Sequence, residues 1–343
     1  MAQTSSHSFI VVGAGIVGLV IAVAAQGRGH AVTLIARDEA RDTASGVAAG
    51  MIAPALEALA EADQIHGYRR LKAAQAAWVY FDDLWPEAVR KALAAARNAS
   101  QSVYVSAGTT TDVAASLDAM GAAYTQTGVE LRIGDDWLVE AEATMAALKA
   151  QFLATGGRFV AGEVIRATAH SVQVAGGDIR HADHVVVAAG FDAQKLAADI
   201  PSLQVLEPIK GHLLDVPGRG ATGVLRSPRG YLADYGRVAK FGASMQPGRS
   251  DREVEPGIVA DLKARAEGMG IGLPDDVTPR TGVRAATPDG WPLIGRDKAS
   301  GVFVAVGMRR NGYIFAPFAA KIILALVEQR DGADDGLYRP DRF

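Results

Sequence analysis

Three glycines near the start of the chain, Gly13, Gly15 and Gly18, follow the apolar run Phe9–Val12 and open an apolar helical stretch. Their spacing, Gly-x-Gly-x-x-Gly, suits the binding of a dinucleotide. Gly13 permits a tight turn, Gly15 lets the backbone approach a pyrophosphate, and Gly18 lets the helix pack closely on the strands. From Ile16 and Val17 onward the helix N-terminus offers unpaired N–H groups and a positive partial charge to the phosphates. The following strand ends in Ala36-Arg37, where an acid usually holds a ribose hydroxyl. Asp38 or backbone groups are expected to take that role. Arg37 can lie over an adenine face or stand as a solvated charge. A basic residue here also keeps a nicotinamide dinucleotide open as the ligand.

These glycines act only if regular elements hold them, and the pattern supplies a β-α-β unit. Phe9–Val12 reads as a strand buried on both faces, Ile16–Gln26 as a helix stopped by Gly27-Arg28-Gly29, and Ala31–Ile35 as the second strand. Leu71, Ala74, Trp78, Phe81 and Trp85 recur at steps of three and four, which predicts one helix with a buried face ending near Pro86. A strand-like SVYVSAG, a helix-like TDVAASLDAMGA and a helix over 142–155 follow. Short strands then run to Val185–Ala188, with a turn at Gly176-Gly177-Asp178. That last strand is again continuously apolar, so the chain is expected to return to its first sheet. Residues 201–284 read as an antiparallel sheet covering a ligand. The chain then runs through a strand and a loop from Gly307 to Gly312 into a long apolar helix with Pro317 near its start.

Composition narrows the class. With 343 residues, 49% hydrophobic and 21% charged, the chain reads as a soluble globular protein of two domains, or of one domain with a large insertion. A net charge of −3 without a basic block gives no footprint for a nucleic acid or an anionic membrane. The absence of cysteine excludes disulfides, thiolate zinc sites, iron–sulfur clusters and a cysteine-linked flavin. The histidines lack metal-ligand spacing, so no metal is expected. No Lys or Arg precedes the apolar run Phe9–Ala25, which argues against a signal peptide and for a cytoplasmic protein.

The segment TASGVAAGMIAP, Thr43 to Pro54, together with the opening motif, resembles the FAD-dependent D-amino acid oxidase and glycine oxidase family. The resemblance implies that Thr43, Ala44, Ser45, Ala49, Gly50 and Met51 run past the pyrophosphate and flavin ring, where small side chains let the backbone pass close to a flat cofactor. GEVIRA, with Val164, resembles the family's strand against the adenine. HVVVAAGFDA, with Ala189 and Gly190, resembles its return to the cofactor. RTGVRAATPDGWPLIG and GMRRNGYIFAP resemble its C-terminal signature. The implied fold is α/β: a Rossmann-like FAD-binding domain from residues 1–80, 140–200 and 285–343, and an antiparallel-sheet substrate domain from 81–139 and 201–284. The implied cofactor is FAD, with Gly307, Arg309, Asn311, Gly312 and Tyr313 at the loop and helix start beside the flavin ring.

The same resemblance gives Arg284 and Arg310 the task of gripping a substrate carboxylate and places Tyr231 over the substrate. Family members commonly continue Tyr-x-x-Pro-Arg, whereas this chain continues Leu232-Ala233-Asp234-Tyr235. The arginine assignment also has a chemical basis, since a guanidinium pairs both oxygens of a carboxylate and a buried arginine needs an anion. An internal salt bridge is the alternative for each, and Arg309 is an equal candidate to Arg310. His212, beside an apolar strand, reads as structural rather than as a base.

The implied reaction is oxidative deamination of an amino acid or related amine by hydride transfer from Cα to flavin N5, giving an imine that hydrolyses, with oxygen as acceptor and hydrogen peroxide as product. A dehydrogenase feeding a quinone or other carrier is the alternative, followed by a nicotinamide-dependent reductase or a non-catalytic nucleotide-binding module. Substrate identity and self-association into a homo-oligomer stay open.

Overall fold

The computed structural model describes residues 6–37, 43–98, 102–105, 110–329 and 336–343, so Asp38 lies outside the described residues. A six-stranded sheet is built around Ser8–Val12. Ala31–Ala36 and His184–Val187 flank it in parallel, Arg158–Ala161 extends the first side and Phe303–Val306 the second. The edge strand Leu293–Arg296 pairs antiparallel. Val11, Leu34, Val185 and Val304 have no exposed surface. Burial on both faces is the reason these strands read as unbroken apolar runs. The chain returns to its first sheet in the register Ile10↔Val185.

The helix Ile16–Gly27 is buried from Ile16 through Ala25. It lies between the sheet and two other helices, Ala141–Ala154 and Gly312–Val327. Ala22, Ala24 and Ala25 are fully covered, and their small side chains let those helices approach closely. The side chains of Leu19, Val20 and Ile21, equally covered, contribute roughly 1.5–3 kcal/mol each through burial.

Pro317 stands inside the helix Gly312–Val327 rather than at its entry. It has no N–H, so the carbonyl of Tyr313 four residues earlier loses its helical partner. The indole Nε1–H of Trp78 donates to that carbonyl at 2.8 Å. Trp78 sits on the helix Gln64–Tyr80, which corrects the single helix expected to reach Trp85. The chain turns at Asp82–Leu84 instead, and a second helix, Glu87–Asn98, begins just after Pro86. Phe81 and Trp85 keep the apolar spacing because both tuck into the same core from the turn.

The second large sheet is antiparallel apart from one pair. Its order is Gln246–Pro247, Glu207–Pro217, Val238–Gly242, Gly230–Tyr235, Thr222–Ser227, Ser102–Val105, Glu130–Ile133 and Tyr124–Thr127, with Thr222–Ser227 and Ser102–Val105 parallel. Thr278–Ala286 pairs with Glu207–Pro217 along most of its length, from Glu207↔Ala286 to Asp215↔Thr278. A small antiparallel sheet, Val164–Ala167, Ser171–Val174 and Ile179–His181, turns at Gly176-Gly177. Among the described residues no helix is long and apolar enough to cross a membrane.

Replacing the indole with a ring that cannot donate isolates the role of Trp78. Trp78→Phe is expected to lower stability by about 1–3 kcal/mol by leaving the buried Tyr313 carbonyl unpaired, read as a lower urea midpoint with an unchanged slope.

Candidate active site

Two cavities adjoin one another and share part of their lining. The first is lined by the Gly-rich turn at Gly13, Gly15, Ile16 and Val17, and by Thr43, Ala44 and Ser45. Arg37, Val164, Ala189 and Gly190 line one side of it, and Gly307, Arg309, Gly312 and Tyr313 the other. The second cavity is lined by Ala49, Gly50, Met51 and Tyr231. Ala44, Arg284, Arg310 and Tyr313 line both. Among the described residues assigned to the cofactor from the sequence, Gly18 and Asn311 line neither. Gly18 lies beneath the turn, and Asn311 is buried at the N-terminal boundary of the helix Gly312–Val327.

The Gly-rich turn fits a dinucleotide for steric reasons visible in the chain. Gly13 has φ +107°, and a Cβ on it would lie 2.6 Å from the Ala188 carbonyl oxygen. A Cβ on Gly18 would lie 1.8 Å from the Gly13 carbonyl oxygen, so only glycine lets the helix start this close to the strand. Gly15 bounds the helix without a side-chain cap, and Ser45 Oγ accepts the Ile16 N–H at 3.1 Å. Gly13, Gly15, Ile16 and Val17 line the first cavity at this helix start, which suits an FAD pyrophosphate.

The segment after Thr43 is small partly for a reason internal to the chain. Gly50 has φ +66°, and a Cβ there would stand 1.9 Å from the Val139 carbonyl oxygen. A buried lysine missed by the sequence reading fixes this segment. Lys240 Nζ donates to the carbonyls of Gly46 and Val47 at 3.2 and 3.1 Å, and burial lowers its pKa. Tyr313 places its hydroxyl 3.1 Å from both the Ser45 and Ala141 carbonyl oxygens.

Arg284 is placed by its strand register, opposite Ile209 on Glu207–Pro217. Its guanidinium lies across Gly211, where an added Cβ would meet Nη1 at 2.4 Å. Nη1 donates to the Ser244 carbonyl at 3.4 Å. Behind it, the Ser244 hydroxyl accepts the His212 N–H at 2.8 Å, and His212 Nε2 accepts the Glu255 N–H at 3.1 Å. His212 therefore carries its proton on Nδ1, beside Ser244 Oγ, and both ring nitrogens are engaged in holding the loop. Among the described residues no carboxylate lies within ion-pairing distance of Arg284. Burial lowers its pKa, with Arg310 adding to the effect, but a guanidinium stays charged.

Arg310 differs from the unpaired arginine expected from its sequence neighbours. Its Nε donates to Glu57 Oε2, and Nη2 donates to the Glu57 carbonyl at 3.2 Å. Arg226 holds the other oxygen of Glu57 at 2.5 Å and lies 6.0 Å from the Tyr231 ring. Burial alone would raise the Glu57 carboxyl, yet Arg310 and Arg226 bring it down to about 2. Glu57 is separated from Arg310 by most of the chain, so no local spacing announces the triad. Arg309 has φ +50°, strained for a side chain with a Cβ, and its Nη2 stands 3.5 Å from Glu61. Its N–H donates to the Ala285 carbonyl at 2.8 Å, tying the loop to the strand that carries Arg284. Arg37 pairs with Asp192 at the far end of the first cavity.

Asp136, also missed, accepts the Ala55 N–H at 3.2 Å at the start of the short helix Pro54–Ala58 that carries Glu57. Its other oxygen is buried without a partner. Burial pushes its carboxyl up to about 7 against the pull of Arg226.

Two outcomes test this charge arrangement. Glu57→Gln strands two guanidinium groups and is expected to cost about 3 kcal/mol of stability in urea unfolding. Because the folded protein holds the Asp136 proton more tightly than the unfolded chain, this group weakens folding as pH rises from about 4 to about 7. In Asp136→Asn that fall is expected to vanish, seen as a difference between the two pH–stability curves that grows through this window and is constant above it.

The chain is similar to several known proteins. Glycine oxidase of Geobacillus kaustophilus is 31% identical over 173 residues, 48% of this chain and 46% of that protein. D-amino acid dehydrogenase 2 of Pseudomonas aeruginosa is 30% identical over 172 residues, 47% and 40% respectively. The chain thus spans about half the length of the curated relatives it matches. The solved structure of G. kaustophilus glycine oxidase superposes with a TM-score of 0.79 at 22% identity, covering 98% of this chain and 100% of that one. Residues 8–326 match the family described as DAO, FAD dependent oxidoreductase, and with a glycine cradle shaped for its cofactor, the chain belongs to that family.

Proposed function

We propose that the protein oxidises an amino acid or closely related amine at its Cα–N bond, with Arg284 holding the substrate carboxylate. The observation that carries this reading is the guanidinium of Arg284, at the wall shared by both cavities and without an acid to neutralise it among the described residues. A carboxylate in the second cavity would meet it bidentately. FAD, when bound, supplies the acceptor for the hydride that leaves Cα.

Everything else required of the chain is position and charge. Glu57 holds Arg226 and Arg310 as one unit, so the cavity wall carries positive charge while each guanidinium keeps a fixed direction. Tyr231, on Gly230–Tyr235 and against Arg226, closes the apolar side on which the Cα substituents would rest. The N-terminus of Gly312–Val327 borders the first cavity at Gly312 and Tyr313, where its positive partial charge would favour an anionic reduced ring. No side-chain base is needed if the amine enters unprotonated, because its lone pair stabilises the cation left by hydride departure.

Oxygen is the acceptor in this reading, with hydrogen peroxide as product. The likeness to a D-amino acid dehydrogenase supports transfer to a quinone or other carrier as the second reading. Peroxide yield measured against reduction of a dye acceptor separates the two.

Amino acids of both hands, screened without oxygen by bleaching of the flavin absorbance, identify the substrate. Arg284→Ala is expected to retain its flavin spectrum and to bleach about a hundredfold more slowly with carboxylated substrates. Equal bleaching in the variant would remove the amino acid reading.

A further inference from the structure

The place of the ribose acid, at the end of the second strand, is Ala36. The first cavity shows where a replacement must act. Gly13 and Gly15 occupy its middle, and Arg284 and Tyr313 mark the end it shares with the second cavity. The opposite end, lined by Ala36, Arg37, Glu163 and Lys195, is left for the adenosine half of the cofactor.

Among the described residues two acids line that end. Asp192 is already engaged by Arg37, stands 3.4 Å from Arg252, and lies 3.7 Å from Lys195. Glu163 is nearer to the vacated position. The strand Arg158–Ala161 lies parallel to Ala31–Ala36 with Ala161 opposite Ala36, and the Gly162 N–H donates to the Ala36 carbonyl at 3.0 Å. Glu163 therefore begins one residue from the backbone of Ala36. Lys195 Nζ holds its Oε1 at 2.7 Å, while its Oε2 has no hydrogen-bond partner among the described residues. An ionised carboxylate only accepts hydrogen bonds, so this oxygen suits a hydroxyl donor.

We propose that Glu163 takes the place of the missing acid and accepts a hydroxyl hydrogen of the adenosine ribose of FAD. The group that usually comes from the end of the second strand is delivered from the neighbouring strand's exit, with Lys195 fixing its direction.

Glu163 is partly exposed, so Glu163→Gln is expected to fold normally. The full-length apoprotein, titrated with FAD and with an FAD analogue whose adenosine ribose lacks both hydroxyls, tests the contact directly by flavin fluorescence. In the unaltered protein the analogue is expected to bind roughly tenfold or more weakly than FAD. In Glu163→Gln, FAD is expected to weaken by a similar factor and the difference between the two ligands to collapse towards unity. An unchanged FAD dissociation constant, or discrimination that survives the substitution, would overturn the proposal and return the ribose to Asp38, Asp192 or backbone groups.

Discussion

A positive charge with no acid beside it among the described residues is the constraint around which the cavity wall is arranged. Arg284 lies across Gly211, half-buried and within reach of one backbone carbonyl. Such a group is costly to bury unless an anion completes it. The chain completes the neighbouring guanidinium groups itself, through Glu57, and leaves this one open. The difference between a salt bridge that holds the wall and a cation that waits for a ligand comes down to one glutamate's reach.

The elements around this point are held by contacts that act at a distance in sequence. Lys240, from the antiparallel sheet, holds the carbonyls of Gly46 and Val47 beside the first cavity. Arg309 ties its loop to Ala285 through the backbone, and Asp136 engages the helix that bears Glu57. The Arg309 contact joins the loop after Phe303–Val306 of the parallel sheet to Thr278–Ala286 of the antiparallel sheet.

Much of the fold was legible in the sequence because its signals are local. The Gly-rich turn, the unbroken apolar strands and the Gly176-Gly177 turn each lie within a few residues. The signature that singles out Arg284 is equally local, and its strand sets that side chain at both cavities. Glu57, Lys240 and Asp136 were not, because each gains its meaning from partners far along the chain that only the folded sheet brings near. The helix Glu87–Asn98 escaped notice beside the apolar spacing of Phe81 and Trp85, which mimics continuation of the preceding helix through a turn. Asp38, named from the sequence as a substitute for Ala36, falls outside the described residues.

The pairing of Trp78 with the gap that Pro317 opens ties two positions together through one backbone carbonyl. Exchanging Pro317 for a residue with an amide would create a rival for the same oxygen, and exchanging Trp78 alone would abandon it. Drift at either site is thus constrained by the other, and the two should tend to change as a couple among proteins descended from a common ancestor.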